Sequence, residues 1–94
     1  MTLKDKIEKI ICSKFKITHL EILDKTQEHA GHAEAVKSGG KGHFALLIIS
    51  PDFIEKTKLD RHREIHRALD GQLKNEIHAL SIRALTPDEY AARN

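Results

Sequence analysis

Apolar residues in this chain come in short groups, and the spacing within each group changes along the sequence. Leu3, Ile7, Ile10 and Ile11 recur at helical intervals, with Lys4, Lys6, Glu8 and Lys9 between them. This predicts an amphipathic helix running to about Lys14, its apolar face closed by Phe15. Thr2, followed three residues later by Asp5, supplies the start: a hydroxyl to accept an orphan N–H, and an acid at the positive helix end. Leu20 and Ile22 alternate with His19 and Glu21, the period of a half-buried strand over residues 18–23. Residues 24–42 have no period and contain Ser38-Gly39-Gly40-Lys41-Gly42, which predicts a long, mobile loop of the kind that often carries function. Residues 44–49 are nearly all apolar and stop at Ser50-Pro51-Asp52, as a buried strand does. Thr57 and Asp60 repeat the capping pattern ahead of a second helix. Its predicted apolar face is Leu59, Ile65, Ala68, Leu69 and Leu73, and Gly71 weakens its end. Residues 77–84 read as a third strand, with His78, Leu80 and Ile82 on one face and Ala79, Ser81 and Arg83 on the other. Thr86-Pro87-Asp88-Glu89 combines a cap, a proline at the first position and a glutamate three after the cap, and so predicts a short last helix.

The predicted order is α-β-β-α-β-α. So few elements bury their apolar faces most simply as an α+β domain, a three-stranded sheet with helices packed on one face. With 94 residues the chain is expected to form one domain, 1–94, with a thin core and little room for a deep substrate cavity. The net charge of +2 is slight and the signs are interleaved, which a dedicated nucleic-acid binder seldom shows. With no tryptophan and one tyrosine, stacking platforms for single-stranded nucleic acid are scarce. Cys12 is the only cysteine, so no internal disulfide forms, and a reducing compartment is expected. No apolar run approaches the ~20 residues needed to cross a membrane. The sequence is therefore expected to be cytoplasmic, with no membrane partner.

Histidine is over-represented: there are seven. His29 and His32 lie three apart in the long loop, beside Ala30 and Gly31, where both imidazoles could reach one metal ion. A closed zinc site takes about four ligands, and no cysteine is nearby to complete one. Solvated loop histidines are the plainer reading. His43 and His78 each adjoin an apolar strand, and each reads first as a rim histidine bonded to the backbone. The glycine run lacks both the upstream glycine and the following serine or threonine of a phosphate loop. It also joins strands rather than the two helices that flank a nucleotide-clamping GxxG turn, so it reads as a hinge. Arg61, His62, Arg63 and Arg67 put basic groups along the second helix, where they could meet phosphates or an acidic partner. Asp60, Glu64 and Asp70 interrupt that stripe, and on charge patterning alone a solvated, salt-bridged face is the plainer reading. No nucleophile sits in a recognisable elbow and no carboxylate pair stands out, so the chain is not expected to be an enzyme.

Several segments together resemble the BolA family. They are His43-Phe44 opening an apolar strand, Ser50-Pro51-Asp52-Phe53, Arg61-His62-Arg63, Ile77-His78-Ala79-Leu80-Ser81-Ile82, Thr86-Pro87-Asp88-Glu89, and the Asp24…His29-Ala30-Gly31-His32 loop. The resemblance covers nearly the whole chain, with the segments in order. It implies a fold related to type II KH domains and partnership with a monothiol glutaredoxin. A 2Fe-2S cluster would be shared between the two, with glutathione supplied through the partner. His78 would then be the signature ligand, and a loop histidine the second, His32 in preference to His29. Such a protein serves iron–sulfur trafficking or assembly, or iron and redox regulation. The resemblance also allows an alternative, a DNA-binding transcriptional regulator with Arg61, Arg63 and Arg67 as the contact surface. A third reading is a mononuclear metal site built on His29 and His32.

Overall fold

The structure is a computed structural model, and it describes residues 2–26 and 42–92. In chain order the elements are α1 (Leu3–Lys14), β1 (His19–Asp24), β2 (Gly42–Ile49), a 3-10 turn (Pro51–Phe53), α2 (Lys58–Ala68), α3 (Asp70–Asn75), β3 (Ile77–Leu85) and α4 (Pro87–Ala92). The expected α+β architecture is present, with α3 as an additional short helix.

The predicted caps form. The Thr2 hydroxyl accepts from the Asp5 N–H at 3.1 Å while the Asp5 carboxylate accepts from the Thr2 N–H at 3.2 Å. Thr57 accepts from the Asp60 N–H at 3.1 Å, and Thr86 and Glu89 make the reciprocal pair at α4. A cap of this kind is worth about 1 kcal/mol.

β2 is the central strand. β1 pairs with it antiparallel and β3 parallel. A parallel partner requires a crossover, and residues 50–76 supply it with α2 and α3. Alternation along β2 sends Phe44, Leu46 and Ile48 to one face, where they meet Leu80, Ile82 and Ala84 of β3 in register. Ile7 and Ile11 of α1, Ile65 of α2 and Leu69 cover that face and are fully buried. Phe53 fills the remaining corner, with its ring centre 5.5 Å from that of Phe15. Ser50 caps the 3-10 turn by accepting from the Asp52 N–H, and Asp52 accepts from the Lys16 N–H at 2.8 Å, tying the α1–β1 connection to the crossover.

Two details depart from the expected pattern. Leu59, assigned to the apolar face of the second helix, is 58% exposed, whereas Arg61 is 5% exposed. Positions 61, 65 and 69 lie four apart, so the buried stripe reads Arg61, Ile65, Leu69, and Leu59 falls outside it. In β3, Ile77 pairs with Gly42 but Ala79 pairs with His43, a one-residue bulge at His78. Ile77 and Leu80 can therefore both face the core although three apart. His78 leaves the Leu80 and Ile82 face that simple alternation predicts, and it is exposed.

Candidate metal centre

Because β2 and β3 run parallel, both start at the same end of the sheet, and each brings a histidine there. His43 is the second residue of β2 and is fixed by its backbone. Its N–H donates to the Thr26 hydroxyl at 3.0 Å and its carbonyl accepts from the Lys25 N–H at 2.7 Å. One residue earlier, the Gly42 N–H donates to the Glu76 carbonyl at 2.9 Å, which clamps the start of β2 to the turn before β3. A side chain at Gly42 would strike the Phe44 ring, so glycine is required here for a packing reason.

The His78 bulge turns its imidazole toward His43. The ring centres are 5.1 Å apart and the planes are inclined by 51°. The two rings are therefore in tilted aromatic contact, which sets the His78 imidazole against that of His43. The two rings are not equivalent. His43 is 4% exposed and its Nε2 is closed to solvent. His78 is exposed and offers the accessible nitrogen. Among the described residues no three His, Cys, Asp or Glu side chains converge on one point, so these residues alone make no closed site. His29 and His32, the expected loop ligands, lie outside the described residues. Sequence reasoning treated His43 as a rim residue; the only signal for its role was its place immediately before the apolar run of β2.

The basic helix divides into two sets of residues. The Arg61 side chain is turned inward. Its Nε donates to the Lys56 carbonyl at 3.0 Å, and one terminal nitrogen donates to the buried Ala84 carbonyl at 3.0 Å and to Glu89 Oε1 at 2.6 Å. Its guanidinium carbon lies 5.9 Å from the centre of the Phe53 ring. The Arg61 hydrogen bond holds the Glu89 carboxyl at about 2, well below its ordinary 4.5. As a DNA contact Arg61 is therefore corrected: it locks α2 to the start of α4 and presents nothing to a partner. Arg63 and Arg67 are exposed and line a shallow depression of about 510 Å³ with His62 and His66. Cys12 is exposed on α1 and unbonded.

The family model for "BolA-like protein" matches residues 11–89. The chain belongs to the BolA-like family. Over 94 residues it is 33% identical to the DNA-binding transcriptional regulator BolA of Haemophilus influenzae, covering 100% of this chain and 86% of that protein. Over 92 residues it is 40% identical to SufE-like protein 1, chloroplastic/mitochondrial, of Arabidopsis thaliana, but spans only 24% of that longer protein. Among solved structures it resembles the BolA domain of SufE1 from Arabidopsis thaliana, with TM-score 0.81, 36% identity and 95% and 96% of the two chains covered. It also resembles BolA1 from Mus musculus in solution, with TM-score 0.78, 30% identity and 99% and 72% covered. The family suggested by the sequence segments is thus the family the chain belongs to. No helix among the described residues is long and apolar enough to cross a membrane.

Proposed function

We propose that this BolA-like chain is a non-catalytic adaptor that pairs with a monothiol glutaredoxin and contributes imidazole ligands to a 2Fe-2S cluster held between the two proteins. The observation that carries this reading is the His43–His78 pair, with one exposed ring set by bulge geometry against one buried ring. His78 is the ligand this chain presents. His43, anchored through its backbone, is a positioning residue that fixes the His78 ring against it. The second ligand is a loop imidazole, His32 in preference to His29. Replacing thiolate by imidazole on one iron raises the reduction potential of a bound cluster. Ligation needs the neutral imidazole, so the bond weakens as pH falls toward ~6.5. A cluster held this way suits handover or sensing, in iron–sulfur trafficking or regulation, and a cytoplasmic setting fits the single unpaired cysteine.

The test mixes the protein with a monothiol glutaredoxin, glutathione, iron and sulfide without oxygen and records visible absorption and circular dichroism. The expected spectrum differs from that of the glutaredoxin homodimer, disappears with His78→Ala and with one of His32→Ala or His29→Ala, and changes shape with His43→Ala. A wild-type spectrum identical to that of the glutaredoxin alone would end this reading.

A second reading is DNA binding. Arg63 and Arg67 are exposed on one depression, and the 33% identical relative is named a DNA-binding regulator. It requires salt-dependent affinity that falls when Arg63 and Arg67 are neutralised and is indifferent to His78→Ala.

A further inference from the structure

The same depression on α2 holds a second pair of histidines that neither reading uses. His62 and His66 are four residues apart on α2 and line it together. Residues so spaced lie on one face of a helix with Cβ atoms about 5–6 Å apart, the arrangement by which two helical histidines grip a single ion. Neither imidazole has a hydrogen-bond or ion-pair partner among the described residues, and His66 is exposed, so the donor nitrogens are not already committed. Asp70 lines the depression one turn further on. Its carboxylate lies 3.1 Å from the Lys74 ammonium, an exposed surface pair that holds it only weakly. Arg63 and Arg67 also face the depression and oppose a cation there.

We propose that His62 and His66 form a bidentate surface site for a divalent first-row transition ion, with solvent completing the coordination. Two imidazoles with oxygen donors around them match the tetragonal preference of Cu²⁺, which also heads the affinity order for nitrogen sites. The ion taken most tightly is therefore Cu²⁺, with Zn²⁺ weaker. This site is separate from the His43–His78 end of the sheet and does not depend on the cluster reading.

The test is a titration of the full ¹⁵N-labelled chain with CuCl2, followed by amide signals. Paramagnetic broadening is expected across residues 59–70. His62→Gln and His66→Gln should each remove it, lowering affinity at this position by on the order of a hundredfold as two-point attachment falls to one. His66 is exposed and His62 half-buried, so an unchanged remainder of the spectrum in each variant is the check that the fold is intact. Arg63→Gln with Arg67→Gln should tighten binding by removing two like charges. Copper held by other histidines broadens a different set of amides and does not confuse the readout. Sharp α2 amides while other regions broaden would overturn the proposal. So would α2 broadening that survives in the His62→Gln, His66→Gln double variant.

Discussion

Arg61→Ala removes a charged side chain from the interior, and its cost can be worked out from the contacts. Two backbone carbonyls, Lys56 and Ala84, lose their donor, and the Ala84 bond is buried. An acceptor left unsatisfied in the interior costs about 1–3 kcal/mol. Glu89 loses its partner too, but its side chain is 43% exposed, so solvent screens that loss to below about 1 kcal/mol. Packing against the Phe53 ring goes as well. The total is about 3–5 kcal/mol, against roughly 5–14 kcal/mol for a whole domain of this length. Urea unfolding followed by far-ultraviolet circular dichroism should show the midpoint falling by about 1.5–5 M, given a slope of about 1–2 kcal/mol per M. Arg61→Lys should recover only part of this, because an ammonium lacks the planar fork that reaches both carbonyls. Glu89→Gln should cost less than about 1 kcal/mol. If Arg61→Ala unfolded within 1 kcal/mol of wild type (a loss within ~RT of a surface substitution), the account of α2 docking would be refuted, and Arg61 would return to the candidate contact surface.

Gly42→Ala should destabilise by about 1–3 kcal/mol, since the added methyl must displace the buried Phe44 ring; thermal unfolding measures it, and Phe44→Leu in the same chain should relieve part of the cost. Glu89 has its carboxyl depressed by Arg61, so the stability it contributes is complete above about 4.5 and drains away as pH falls toward about 2. Acid unfolding of Glu89→Gln should accordingly lose part of its pH dependence across that window and none above it. Asp5 is lowered in the same direction by the Thr2 backbone hydrogen bond, and Asp5→Asn should fray the first turn of α1 without touching the core.

The succession of helices and strands along the chain and the family segments were legible because they rest on local chemistry: caps at Thr2, Thr57 and Thr86, and apolar periods at Ile7 and Ile11 or along Phe44, Leu46 and Ile48. What escaped depends on tertiary placement. A charged residue does not register in an apolar pattern, so Arg61 read as surface although carbonyls and a carboxylate make its burial favourable. Leu59 read as core because it is apolar, yet the buried stripe passes a position away from it. A bulge leaves no mark in a strand's alternation, so His78 was placed on the wrong face, and its meeting with His43 could not be seen across 35 positions of chain. His78 itself was named through the family segment Ile77-His78-Ala79-Leu80, not through its spacing.

The most direct measurement of the central claim is hyperfine spectroscopy of the reduced, mixed complex with glutaredoxin, with ¹⁵N only in the histidines of this chain. The account predicts two strongly coupled imidazole nitrogens, one of which vanishes with His78→Ala. Finding no coupled nitrogen from this chain would contradict it.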